Sequence, residues 1–198
     1  MTELNETLFL LLNASAHPDA LLLAIAKLFA DYVIWLVPLT LVVGWLSGGH
    51  TTRKLMLEAT ASGLAGLLIN QAIGLVWQHP RPFMIGLGHQ LVPHAADSSF
   101  PSDHLTLLWA VAFSFLIHKR PRSAGIVLAL LGLPVAWARI YLGVHFPLDM
   151  VGAALVAGVS AGLCFREERW FVGPIFDWAS TAYRLFFARL IRRGWVRR

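Results

Sequence analysis

The chain has 198 residues, of which 57% are hydrophobic and only 14% charged. A soluble domain of this length carries about 25% charged residues, so the composition excludes an ordinary soluble globular protein and favours one membrane-embedded domain. The formal net charge of +5 does not mark a nucleic-acid binder. Arg184, Arg189, Arg192, Arg193, Arg197 and Arg198 crowd the C-terminal tail, which suits anionic headgroups at a cytoplasmic membrane face.

In chain order, Glu3 and Glu6 stand where a cleavable signal peptide would carry basic residues. The apolar stretch 6–12 is too short to span a bilayer and reads as a surface or re-entrant helix. Five spans follow, at about residues 20–46, 55–77, 102–117, 124–142 and 147–165, the last with Pro147 suited to a first helical turn. Glu58, Asn70 and Gln71 are costly in lipid and read as interhelical hydrogen-bonding groups. The single Cys164 lies in an apolar run and offers no disulfide framework. Residues 170–191 mix Trp170, Phe171, Trp178, Phe186 and Phe187 with Asp177, Arg184 and Arg189, the pattern of an interfacial amphipathic helix. The predicted fold is an all-α integral membrane bundle of about five transmembrane helices with interfacial helices at both termini. It forms one domain over 1–198, with its core at about 20–166 and an amphipathic basic segment at 167–198.

Basic residues mark cytoplasmic loops. Arg53 and Lys54 follow span one, Lys119, Arg120 and Arg122 follow span three, and Arg166 and Arg169 follow span five. Five spans put these on one side, with the C-terminus cytoplasmic and the N-terminus outside. The connections 78–101 and 139–146 then face outward, and their basic residues are Arg81 and Arg139.

Three polar stretches fall at that outer face: Arg81-Pro82, Pro101-Ser102-Asp103-His104, and Arg139 with His145 and Asp149. Arginine presents a planar fork matching phosphate oxygens, so Arg81 and Arg139 together can neutralise a phosphoryl group. Either arginine alone equally suits headgroup snorkelling. His145 and Asp149 are spaced i, i+4, which lets the carboxylate accept the Nδ1 proton and leaves Nε2 free as nucleophile or base. Alone, that pair also suits a helix N-terminus. Ser102 can cap the third span, whose N-terminus offers free N–H groups to an anion. His104 is then the candidate general acid, or a residue at headgroup level.

The three stretches, in this order and spacing, resemble the signature motifs of the type-2 phosphatidic acid phosphatase superfamily, which also includes vanadium haloperoxidases. The variants around Pro82-Phe83, Phe100 to His104 and Gly143-Val144-His145-Phe146-Pro147 look most like undecaprenyl pyrophosphate phosphatases of the bacitracin-resistance type. The resemblance implies a bacterial plasma-membrane enzyme with its site on the outer face, releasing phosphate from a polyprenyl diphosphate. It implies His145 as the nucleophile forming a phosphohistidine, Asp149 orienting it and His104 protonating the leaving oxygen. Arg81, Arg139, Ser102 and Asp103 would hold the phosphoryl group. It implies no metal or other cofactor, and His79, His89 and His94 are too irregularly placed to suggest one. Other lipid phosphatases, a lipid phosphotransferase and a non-enzymatic membrane scaffold are the competing readings.

The sequence departs from the superfamily pattern at three positions: Gly74 where a lysine is usual, Asp103 where a glycine is usual, and Ala138 where a serine is usual. Lys27, four residues before Asp31 near the outer end of span one, is the candidate replacement cation; a Lys27–Asp31 pair is the competing reading.

Overall fold

A computed structural model describes residues 2–197; Met1, Arg198 and the side chains of Thr2, Arg169 and Phe171 lie outside the described residues. The regular structure is all helical, with no strand among the described residues. Its helices are α1 (Thr2–Leu12), α2 (Ala20–Asp31), α3 (Leu36–Ser47), α4 (His50–Val76), α5 (Asp103–Ile117), α6 (Arg122–Tyr141), α7 (Pro147–Phe186) and α8 (Ala188–Arg192). Four stretches are long and apolar enough to cross a membrane: Ala20–Ser47, His50–Val76, Arg122–Tyr141 and Pro147–Glu168. The predicted third span, α5, has 15 residues, about 22 Å at 1.5 Å per residue, and sits at the centre of the bundle against α4, α6 and α7.

The predicted first span is not one continuous α-helix. It narrows to a 3-10 turn at Val33–Trp35 between α2 and α3. Pro38 supplies the reason: it has no N–H for the carbonyl of Ile34, and its ring crowds that carbonyl.

The fifth span and the C-terminal amphipathic segment, predicted as separate, form a single 40-residue helix. At about 60 Å it is roughly twice the hydrocarbon thickness. Pro174 lies inside it without ending it. The amphipathic reading of this segment holds in another setting: Val172, Phe176, Ser180 and Tyr183 form a buried stripe. Phe176 and Tyr183 each lie 6.2 Å, centroid to centroid, from Trp45 of α3, and Phe176 lies 4.4 Å from His50 of α4. Arg53, predicted as a loop cation, is instead buried. Its guanidinium donates to the carbonyls of Trp45 (2.9 Å) and Arg197 (2.8 Å) and stands 4.4 Å from the Tyr183 ring centre. A charge withdrawn from water needs such partners.

Small residues let the central helices approach. Gly66 on α4 leaves room for Thr106 of α5 and Ser160 of α7, and Gly132 on α6 faces the Trp109 indole, which donates to the carbonyl of Ala129 at 3.1 Å. The polar residues of α4 make the predicted interhelical bonds. Glu58 pairs with His118, while Asn70 and Gln71 donate to Asp103. Early α4 thus meets late α5 and late α4 meets early α5, so the two run antiparallel. The short N-terminal helix α1 covers the start of α7. Phe9 packs on Phe146 at 5.3 Å, and Asn5 Oδ1 accepts from the Leu148 N–H at 3.0 Å.

Candidate active site

The site forms at one end of the bundle, where α4 and α6 end and α5 and α7 begin. After Arg139 the chain reverses at Gly143, whose φ of +79° lies in the left-handed region, and a Cβ there would strike the backbone of His89; only glycine meets both demands without strain. The turn delivers His145 just ahead of α7. Pro147 opens that helix, and Asp149 accepts from the Phe146 N–H at 2.8 Å, fixing the carboxylate at the first turn.

His145 and Asp149 are both buried, and His145 Nδ1 lies 3.1 Å from Asp149 Oδ2. The same carboxylate oxygen accepts from the hydroxyl of Ser99. Arg81 Nη1 lies 3.1 Å from His145 Nε2 and donates to the carbonyl of Val144 at 2.9 Å. A guanidinium can only donate, so Nε2 is the acceptor and the imidazole proton resides on Nδ1, facing Asp149. Burial, helped by the charges of Arg139 and Arg81 and opposed by Asp149, lowers the His145 pKa to about 4. The ring is therefore neutral near pH 7, with its Nε2 lone pair available. Arg81 is further held by Asp97 (2.8 Å) and the Ser98 carbonyl (3.2 Å).

Arg139 is 3% exposed, and its Nε has no partner among the described residues. Its Nη2 donates to His94 Nε2 at 2.9 Å, while His94 Nδ1 donates to the Ala95 carbonyl at 3.1 Å. His94, whose ring lies 6.2 Å from that of His145, is neutral for the same reason: desolvation holds it below the ordinary imidazole value, against the Ala95 hydrogen bond. Ser102 does not cap α5 through its side chain, contrary to expectation; its hydroxyl is fully buried without a partner among the described residues. Its backbone N–H instead faces the Asp149 carbonyl at 3.4 Å, which ties the α5 and α7 N-termini together. His104, partly buried in the first turn of α5, lies in the electrostatic field of Arg139, His145, His94 and Arg81.

The geometry therefore brings Arg81, Arg139, Ser102, His104, His145 and Asp149 to one place. The side chain of Asp103 turns toward α4, accepting from Asn70 (2.8 Å) and Gln71 (3.3 Å), so its carboxylate belongs to the wall rather than to the anion cradle. Lys27 makes no ion pair with the site residues among the described residues, although Asp31, one turn further along α2, lies in the electrostatic field of Arg139. α2 packs through Ala26 and Ala30, which leaves Lys27 exposed and without an ion pair among the described residues, to Asp31 or any other group. A cavity of about 390 Å³ opens beside Arg81, lined by Asn70, Gln71, Gly74, Asp97, Ser98 and Asp103 among others. The position where a lysine was expected, Gly74, faces it next to Ser98. Sequence reasoning missed His94 and the pairing of Ser99 with Asp149. Both sit in the loop 77–102, which carries no periodicity, and only the fold shows which of its side chains turn inward.

The sequence profile of the PAP2 superfamily matches residues 55–171. The chain is 37% identical over its whole length to a protein of Escherichia coli (strain K12), 99% of which is covered, that carries the provisional name undecaprenyl-diphosphatase YbjG. It is 35% identical, over 96% of its length and 97% of the relative's, to undecaprenyl-diphosphatase BcrC of Bacillus subtilis (strain 168). Its fold is similar to the crystal structure of LpxE from Aquifex aeolicus, with a TM-score of 0.64 and 25% identity over 82% of this chain and 95% of that one.

Proposed function

The chain belongs to the PAP2 superfamily and is a multi-pass membrane lipid phosphatase, and on that premise we propose that it hydrolyses undecaprenyl diphosphate to undecaprenyl phosphate and inorganic phosphate. The observation that carries the reading is the contact of Arg81 Nη1 with His145 Nε2 at 3.1 Å. A guanidinium against that ring nitrogen supports the reading, because the same cation would hold the phosphoryl oxygens while Nε2 attacks phosphorus. The full-length similarity to proteins named undecaprenyl-diphosphatase supports the choice of substrate.

In this reading residues 1–198 act as one membrane-embedded domain. The tail of the lipid stays in the bilayer while the diphosphate enters among Arg81, Arg139 and the buried hydroxyl of Ser102. His145 Nε2 attacks the terminal phosphorus, and the bond from that phosphorus to the bridging oxygen breaks. The negative charge of the entering diphosphate offsets the arginines and favours the imidazolium form of His104, which gives its proton to the departing undecaprenyl phosphate. Asp149 holds the Nδ1 proton and stabilises the ring as it gains positive charge. A water molecule, deprotonated by His104, then displaces phosphate from the phosphohistidine and restores both histidines. The arginines serve the charge spread over the equatorial oxygens in both steps. The basic residues Lys54, Lys119, Arg120 and Arg122 lie toward the opposite end of the bundle, which favours an outward-facing site and a cytoplasmic C-terminus.

The test is phosphate release by purified protein from polyprenyl diphosphate, phosphatidylglycerophosphate, phosphatidate and lysophosphatidate, with His145→Ala alongside. Fastest release from the polyprenyl diphosphate, abolished in the variant, is expected. Faster release from lysophosphatidate would replace the substrate. Transfer to another lipid in place of water would make the protein a phosphotransferase. Release unchanged in His145→Ala would remove the catalytic reading and leave a scaffold.

A further inference from the structure

Glu58, His118 and Glu168 each offer a ligand atom, and those atoms lie within 4.8 Å of one another. We propose that they form a binding site for a divalent transition metal of the Zn²⁺ class, remote from the catalytic centre. His118 caps the C-terminus of α5, 14 residues after His104, which is about 21 Å along the helix. The site therefore does not depend on the reaction assigned to His145.

The geometry is that of a ligand set drawn from three helices. Glu58 on α4 is 1% exposed, and both its oxygens lie about hydrogen-bond distance from His118 Nε2, at 3.0 and 2.9 Å. Glu168 on α7 is exposed and opens the cluster to the aqueous side. Two carboxylates converge on one imidazole, so with both carboxylates ionised the cluster keeps net negative charge even with the imidazole protonated. Among the described residues no lysine or arginine pairs with either carboxylate, and the neighbouring Arg166 engages Glu167 instead. Uncompensated charge at the edge of an apolar bundle is costly, and a divalent cation removes that cost. One nitrogen and two carboxylate oxygens suit Zn²⁺, which accepts mixed N/O ligands at roughly 2.0–2.2 Å; Mg²⁺ and Ca²⁺ prefer oxygen alone. A second observation lies one helical turn before His118: the hydroxyl of Ser114 is buried and unpartnered among the described residues.

A metal here would fasten α7 to α4 and α5 at the point where α7 leaves the predicted membrane core for its long extension. The site then tunes the stability of the bundle and its grip on the C-terminal segment, while the chemistry proceeds at the other end.

The experiment uses full-length protein in detergent, stripped by chelator dialysis, titrated with Zn²⁺ against a chromophoric competitor and followed by thermal unfolding. One Zn²⁺ per chain and a rise in Tm are expected. Glu168→Gln leaves the Glu58–His118 pair intact and is expected to fold; it should weaken Zn²⁺ binding at least tenfold and suppress the Tm rise. Cys164→Ser removes the chain's single thiol and should leave both readouts unchanged. The proposal is overturned by a wild-type Tm that ignores Zn²⁺, by an equal response in Glu168→Gln, or by a response lost in Cys164→Ser. A stability that follows pH and ignores metal would show that a shared proton holds the two carboxylates, and would overturn it equally.

Discussion

Arg81 Nη1 and His145 Nε2 stand 3.1 Å apart inside a site where both side chains are buried. In the proposed reaction a cation that rests on the His145 lone pair gives up that contact when a phosphoryl group arrives, and the phosphate oxygens then take its hydrogen bond. The position of His145, its tautomer and the placement of Arg81 are therefore set by one network. Replacing His145 with alanine should abolish turnover. Asp149→Asn, which can no longer accept the Ser99, Phe146 and His145 protons together at one anionic oxygen, should lower kcat by about 10²–10⁴-fold. Steady-state phosphate release measures both, and near-normal kcat in Asp149→Asn would contradict the orienting role.

The pH behaviour of His145 has a definite sign. Its folded pKa is lowered to about 4 by burial and the two arginines, below the ordinary value of about 6.5. Above pH 6.5 the folded and unfolded chains both carry a neutral ring, and stability does not depend on this group. Between about pH 6.5 and 4 the unfolded chain takes up a proton that the folded chain refuses, so stability falls as pH drops through that window. Nitrogen NMR of ¹⁵N-histidine protein, with the His145 signal identified by its loss in His145→Ala, should show a neutral ring at pH 5.5. Titration near 6.5 would show that the buried environment does not act as described.

The two arginines should separate stability from affinity. Arg81 ties together Asp97, Ser98 and Val144, so Arg81→Lys should cost about 2–3 kcal/mol of stability as well as activity, because a charged hydrogen-bond network is broken. Arg139 is buried, its Nε has no hydrogen-bond partner among the described residues, its Nη2 meets the neutral His94, and Asp31, Asp103 and Asp97 act on it through the electrostatic field without a direct ion pair among the described residues. Arg139→Lys should leave Tm unchanged or raised, yet lower kcat/KM by about 10²-fold through loss of the planar fork. Thermal unfolding and kinetics on the same preparations check the contrast.

The fold, and which residues of the candidate site come together, could largely be read from the chain because each rests on local rules. Long apolar stretches specify helices, Pro147 specifies the start of α7, and the i, i+4 spacing of His145 and Asp149 puts two side chains one turn apart on any helix. The motif order also pointed to the superfamily that the profile match and the full-length relatives establish. The parts that were not legible depend on tertiary contact. Tyr183 and Phe176 carry the amphipathic face of α7 onto Trp45 rather than onto lipid, and nothing in their spacing says which apolar surface they meet. The partnership of Ser99 with Asp149 joins residues 50 positions apart, and that of His94 with Arg139 joins residues 45 apart through an aperiodic loop. Lys27 was assigned to the site from its depth in a span, whereas the face on which it lies is decided by how α2 meets α6.

Lys27 and His94 provide the last contrast. Lys27 is exposed and unpaired among the described residues, so Lys27→Ala should leave kcat and KM within about twofold of wild type. His94 accepts from Arg139 Nη2, the group that a phosphoryl oxygen would claim. His94→Ala frees that donor, and it also removes the ring that orients it and keeps water away. The loss of orientation should dominate, because an arginine held in place acts on a transition state without further reorganisation. The expected result is a fall in kcat/KM of about tenfold, with His94→Gln, which retains an acceptor, recovering part of it. An unchanged kcat/KM in His94→Ala together with a large loss in Lys27→Ala would reverse the two roles and place the missing cation on α2 after all.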